Sequence, residues 1–291
     1  RVSEVQRRQM TTIQDDNIFN IAIKGTFDDC QKIVKELFID EELQQHTSLT
    51  AINSINWARL MAQVVYYFWS YLQIDHKEIN FIVPSGNFGN VFSANVAKKM
   101  GLPINQLHIT TNQNDILHSS IKKGLMKKNV VTQTYSPSMD IQVSSNFERQ
   151  LFESAGRDSE SINHIFYEFS KNNSYTFDKG IQNDLQSSYS TTAVSNDETL
   201  NAIKKIKEKY NYLADPHTST GLHVLLEKEE SLPWVSLACA HPAKFGDAIE
   251  KATGELPTLP KDLSKLFDKE EKMTILDNNK DDLKPLILKN L

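Results

Sequence analysis

The chain has 291 residues, 39% of them hydrophobic and 24% charged, which is enough apolar content to bury one large core or two smaller ones. A net charge of -5 and a pI near 5.9 supply no broad attraction for nucleic acid or an anionic membrane surface, so neither is expected as a partner. The 2 cysteines, Cys30 and Cys239, form neither a disulfide framework nor a metal-binding spacing, which points to a reducing cytoplasm and to no metal site.

The opening residues, RVSEVQRRQM, carry neither an initiator methionine nor an apolar signal core and read as helical mid-domain sequence, so the chain is expected to begin inside a larger protein. Residues 17–23 predict a strand. Gly25 and Thr26 then lead into a helix over 27–38, with Asp28 and Asp29 in its first turn where acids complement the helix dipole. From 48 to 72, Ile52, Ile55, Leu60, Met61, Val64, Val65, Phe68, Trp69 and Leu72 recur at helical spacing, predicting a long buried helix with Asn56, Arg59 and Gln63 on its more polar side. Its most apolar run, VVYYFW at 64–69, is far short of the roughly 20 residues that span a bilayer.

Residues 79–83 are a β-branched run ending at Pro84; they pass through SGNFGN into a helix that Gly101 and Pro103 stop. Strands are also expected at 107–111 and 234–240, the latter followed by the helical run FGDAIEKA. Repeated strand-helix units predict an α/β fold, a mostly parallel sheet flanked by helices. Residues 136–197 are rich in Ser, Asn and Gln and read as an insertion or cap. The tail from Leu256 onward mixes prolines with dense charge and is expected to run over the surface.

The loop Ser85-Gly86-Asn87-Phe88-Gly89-Asn90 joins a strand to a helix, so its glycines can bring backbone N–H groups close to an anion at the positive helix end. A tight strand-to-helix turn explains the same residues equally well. Asp215 and Pro216 suit a helix start, which by itself accounts for the segment around His217.

Four segments in order, NSINWARL (53–60), SGNFGN (85–90), DPHTSTG (215–221) and AHPAKF (240–245), resemble the motifs of threonine synthases. RVSEVQRRQMTT, GTFDDCQ, MDIQVSSNFER and YNYLADPHT fit that family as well. The resemblance implies a tryptophan-synthase-β-like, fold type II pyridoxal-phosphate (PLP) enzyme that converts O-phosphohomoserine and water to threonine and phosphate. It also implies a division into the remainder of a smaller α/β domain over 1–47 and a large cofactor-binding domain over 48–291. Serine and threonine dehydratases share the fold and the glycine-rich loop, but NSINWARL and AHPAKF argue against them.

By that resemblance Gly86, Asn87, Phe88, Gly89 and Asn90 hold the cofactor phosphate. Cys239 stands where the family often has a hydroxyl residue that hydrogen-bonds the pyridine nitrogen, and a thiol is a weaker partner. Asn53, Asn56, Arg59 and His217 are implied near the substrate, and the planar fork of arginine suits a phosphate or carboxylate. The lysine that the family bonds to its cofactor belongs to a motif upstream of anything present here, and Lys244 in AHPAKF is not in that motif. No catalytic residue is therefore identified in this chain. The chain alone is expected to be inactive, with the N-terminal part of the same enzyme as its partner; the alternative is a non-catalytic, threonine-synthase-like protein that binds a phosphate ligand. Both a monomer and a homodimer are compatible with the sequence.

Overall fold

The computed structural model describes residues 3–228 and 232–291; Arg1 and Val2, read as part of the opening helix, and the side chains of Phe27 and Asp28 lie outside the described residues. The chain divides into two compact units, Arg1–Ala51 with Thr258–Leu291, and Ile52–Pro257.

In the first unit, helix α1 (Glu4–Thr11) begins at a capping box in which the Ser3 hydroxyl accepts the Gln6 amide at 3.3 Å. Arg7 grips Glu271 with two N–H donors, at 2.8 and 3.0 Å. Strand β1 (Ile21–Ile23) pairs in parallel with Thr274–Leu276, and helix α2 (Phe27–Phe38) starts at a second capping box between Thr26 and Asp29. After α3 (Glu41–His46), a small core of Ile33, Leu37 and Leu43 receives Leu283, Ile287 and Leu288 from the helix Lys280–Lys289. The tail remains largely exposed, as its charge suggested, with these three residues partly buried. Three apolar residues at helical spacing lie among its lysines and aspartates, and packing them, partly buried, on this small core anchors the segment.

The second unit opens with α4 (Trp57–Leu72), which is shorter and less buried than the periodicity implied. Asn56 caps it, so the residues before position 57 are not helical, and only Leu60, Val64 and Tyr67 are buried while Met61, Val65 and Trp69 are 53%, 61% and 64% exposed. Apolar residues surround this helix, and only one stripe can face the core.

Strand β2 (Ile79–Pro84), helix α5 (Gly89–Lys99), β3 (Ile104–Thr111) and α6 (Ile116–Lys123) follow. Next come β4 (Leu125–Lys127), α7 (Phe147–Ser154) and α8 (Ser159–Asn172), then β5 (Ser174–Thr176), which pairs antiparallel with β4. The unit continues with α9 (Lys179–Ser188), β6 (Tyr189–Ala193), α10 (Asn196–Tyr210), α11 (Pro216–Leu225), β7 (Trp234–Ser236) and α12 (Gly246–Thr253).

Four of these strands form one parallel sheet in the order β6-β3-β2-β7. Residues 136–197 supply the edge strand β6 and bury Phe147, Leu151, Ile165 and Tyr189 in the main core, so the region is integral to the fold rather than an insertion. Its polar composition hid this because the apolar residues are spaced as helix stripes among solvent-facing Ser and Asn.

Candidate functional site

Strand β2 pairs with β3 on one side and with β7 on the other, all parallel. The chain passes from β2 to β3 and β6, and returns to the far side of β2 only at β7, which creates a topological switch point between β2 and β7. In open α/β sheets the loops leaving the carboxyl ends of such strands flank a binding crevice. The loops leaving β2 and β7 are residues 85–88 and 237–241, so the fold brings Gly86, Asn87, Phe88, Gly89 and Asn90 to the same end of the sheet as Cys239.

The β2 loop is braced from within. Ser85 Oγ donates to Asn90 Oδ1 at 2.7 Å and accepts the Phe88 amide at 3.1 Å, while Asn90 Nδ2 donates to the Pro84 carbonyl at 2.7 Å. From outside, Ser144 Oγ donates to the Gly86 carbonyl at 2.8 Å and the Asn146 amide to the Asn87 carbonyl at 3.0 Å. These bonds use carbonyls and side chains. Among the described residues the amides of Gly86, Asn87, Gly89 and Asn90 have no protein acceptor. Four free donors at the start of α5 form the arrangement that accepts an anion.

The left-handed residue of the loop is Phe88, with φ 61°, and not a glycine. Its side chain is fully buried, with ring centroids 5.2 Å from Phe147 and 5.6 Å from Tyr189, and that packing offsets a backbone strain of about 1–2 kcal/mol. The glycines serve close packing. A Cβ on Gly86 would meet Met139 Cα at 3.1 Å and the Ser138 carbonyl at 3.2 Å, and one on Gly89 would meet Leu60 Cδ2 at 3.3 Å and Asn146 Nδ2 at 3.4 Å. Gly89 therefore directs its α-carbon toward protein, whereas open approach of an anion was the reason for singling it out; the anion-facing feature is the row of amides.

The β7 side is organised by Asp215, whose side chain is wholly buried. It caps α11 by accepting the His217 amide at 2.9 Å, as the Asp-Pro start implied. The same oxygen pairs with His217 Nδ1 at 2.9 Å, and the other accepts the Thr218 hydroxyl and, at 3.1 Å, the Ala240 amide. Burial works to raise the Asp215 pKa, but the bonds from His217 and Thr218 outweigh it and hold the carboxyl below its ordinary 3.8. The Cys239 amide donates to Thr218 Oγ1 at 2.8 Å.

Cys239 borders open space while protein surrounds its remaining sides, and this burial, with the Asp215 charge second, pushes the thiol up to about 12. It remains a neutral thiol at physiological pH.

His217 does not face a crevice. It is 4% exposed, Nε2 accepts the Ser138 amide at 3.1 Å, and the ring lies 4.7 Å from Phe245. Both ring nitrogens are occupied inside the protein, which leaves none for a substrate. Asn56 and Arg59 do not share a helix face as expected: Asn56 Oδ1 caps α4 through the Ala58 amide at 2.9 Å, and the exposed Arg59 donates to the Ile52 carbonyl at 2.6 Å. Asn53 Oδ1 accepts the Ile55 amide at 3.1 Å. This segment nonetheless lies beside the loop, since Asn146 Nδ2 donates to the Ser54 carbonyl at 3.0 Å and Ser54 Cβ is 3.5 Å from the position of a Gly89 Cβ.

Ser138, Asn146 and Thr218 also brace the site, although no motif marked them individually. The signal available was the hydroxyl run of DPHTSTG. Thr218, Ser219 and Thr220 are at most 2% exposed, and buried hydroxyls demand partners. A separate depression of about 620 Å³ on the first unit is lined by Asp40, Glu42, Lys280 and Lys284, which neutralise one another as ion pairs. Among the described residues no cluster of side chains could hold a metal ion, and no helix is long and apolar enough to cross a membrane.

Residues 218–287 match the family model described as "Threonine synthase, C-terminal". The chain is 46% identical to a threonine synthase of Pseudomonas aeruginosa over 283 residues, which cover 96% of this chain and 60% of that protein. It is 41% identical to that of Saccharomyces cerevisiae, covering 95% of this chain and again 60% of the relative. Among solved structures, a PLP-bound threonine synthase from Brucella melitensis superposes with a TM-score of 0.90 at 43% identity, covering 100% of this chain and 63% of the other. The yeast enzyme superposes with a TM-score of 0.87 at 38% identity. The chain thus resembles threonine synthases over its whole length and spans about three fifths of theirs.

Proposed function

We propose, from the fold that this chain shares with threonine synthases over its whole length, that it carries the cofactor-phosphate side of a PLP-dependent threonine synthase site. The enzyme converts O-phospho-L-homoserine and water to L-threonine and phosphate. The observation that carries this reading is the row of four free amides, at Gly86, Asn87, Gly89 and Asn90, on the switch point of a parallel sheet. The residues present fit the phosphate of PLP: the loop offers donors and a helix N-terminus, and its own carbonyls are turned away into bonds with Ser144 and Asn146. Each amide bond to a charged phosphate contributes roughly 1.5–3 kcal/mol.

When bound, PLP supplies the electron sink for removing protons from the substrate carbons and expelling its phosphate. This chain's residues hold and orient. The amides anchor the phosphate, and Cys239 offers the pyridine nitrogen a neutral thiol in place of a hydroxyl. Arg59 commits one donor to Ile52 and keeps others for a substrate anion, with Asn53 and Asn56 beside it. The cofactor lysine we assign to the portion of the relatives' length that this chain does not span, which makes that portion the chain's partner.

The test is phosphate release and product identity with an enzyme that includes this chain. Threonine from O-phosphohomoserine supports the reading, and a keto acid from serine or threonine in its place contradicts it. The isolated chain mixed with PLP and borohydride is expected to give no stoichiometric adduct; one mapped to Lys244 would overturn the assignment of the lysine.

A further inference from the structure

We infer that Asp215 is a positioning residue that sets the span between the two ends of the cofactor site, through one arm to the Gly86 loop and another to Cys239. The inference rests on the reading of that site as the PLP site. Each carboxylate oxygen serves one arm.

In the first arm, Asp215 Oδ1 pairs with His217 Nδ1 at 2.9 Å and His217 Nε2 accepts the Ser138 amide at 3.1 Å. An Nε2 that accepts carries no proton, so the ring proton resides on Nδ1 and is donated to Asp215. The carboxylate fixes the tautomer, and the tautomer fixes Ser138. The turn held in this way packs beside the phosphate loop and leaves no room for a side chain at Gly86, because the Ser138 carbonyl and Met139 Cα lie 3.2 and 3.1 Å from where a Gly86 Cβ would be. Residue 138 cannot retreat from Gly86 without straining its bond to His217.

In the second arm, Asp215 Oδ2 accepts the Thr218 hydroxyl and, at 3.1 Å, the Ala240 amide. With its proton committed to the carboxylate, the Thr218 oxygen is an acceptor, and it takes the Cys239 amide at 2.8 Å. The backbone on which the thiol stands is thereby tied to the same buried group that holds the phosphate-loop turn. Asp215 and Thr218 are 1% and 2% exposed, so neither arm is exchangeable for water.

The two arms make the inference testable by crossed readouts on an enzyme that includes this chain. Amide hydrogen exchange is measured at Ser138 and Cys239, together with affinity for inorganic phosphate and for PLP, in His217→Phe, Thr218→Val and Thr218→Ser. Loss of one such hydrogen bond corresponds to about a tenfold change. His217→Phe is expected to speed exchange at Ser138 about tenfold, spare Cys239, and weaken both phosphate and PLP. Thr218→Val is expected to speed exchange at Cys239, spare Ser138, and weaken PLP while leaving inorganic phosphate unchanged; Thr218→Ser restores it.

Equal loss at both amides in both variants, or unaltered PLP affinity in both, would overturn the inference and leave the proposed function standing. A wild-type enzyme that includes this chain and binds neither PLP nor phosphate overturns the proposed function and the ligand half of this inference. The exchange pattern then still decides whether Asp215 holds the two arms.

Discussion

Ser85 Oγ donates to Asn90 Oδ1 at 2.7 Å, and this bond closes the loop whose four amides remain free. Asn90 also accepts the Val91 amide at 3.0 Å and holds the Pro84 carbonyl, so one side chain ties the strand end to the helix start. Asn90→Ala leaves these groups without partners and is expected to lower stability by about 1–3 kcal/mol. PLP affinity falls at least about tenfold as the amides lose their common orientation. Urea unfolding and PLP titration check the two effects, and unchanged affinity would detach the loop from the cofactor.

The two loop glycines differ in what surrounds them. Gly86 faces backbone at 3.1 and 3.2 Å, which cannot move aside, whereas Gly89 faces the tip of the Leu60 side chain at 3.3 Å, which can. Gly86→Ala is therefore expected to cost about 1–3 kcal/mol and Gly89→Ala less than about 1 kcal/mol. Gly89→Asp adds a charge near a dianion and volume against Leu60, and in an enzyme that includes this chain PLP retention after dialysis is expected to be lost. Equal melting temperatures for the two alanine variants would contradict the packing argument.

His108 is buried on β3 between Ser190 Oγ at 2.7 Å and Thr192 Oγ1 at 3.0 Å. Burial, and then the positive charge of Lys228, lower its pKa from 6.5 to about 4. The unfolded chain therefore takes up a proton that the folded one refuses. Stability is complete above pH 6.5 and declines as pH falls from 6.5 to about 4, by on the order of 2–3 kcal/mol. The His108 ring resonances should not titrate between pH 8 and about 5 in an NMR titration, and His108→Gln should flatten the stability profile in that window.

The first unit should respond to stronger acid. Lys284 and the Leu43 amide lower Asp40 from 3.8 to about 2, and Arg7 with Thr11 lowers Glu271 from 4.5 to about 2. Depressed carboxyls stabilise the fold above their ordinary values, and that contribution is lost as pH falls through about 4.5 toward 2. Amide exchange in residues 3–51 and 258–291 should accelerate across this window. Lys284→Met and Arg7→Met should each reduce the dependence.

The sequence by itself determined the strand-helix order around SGNFGN, the helix start at Asp215, and the resemblance to threonine synthases, because each is local or carried by consecutive residues. Chain-local chemistry also marked the loop as a place where an anion fits. Tertiary structure alone decided that Phe88 and not a glycine takes the left-handed position, since that choice depends on the distant Phe147 and Tyr189 that hold its ring. It also decided that residues 136–197 belong to the core and that His217 turns away from the crevice toward Ser138, 79 positions earlier in the chain. No window of sequence contains both partners of such a contact, and the hydrogen bond exists only after the sheet brings the ends of β2 and β7 together.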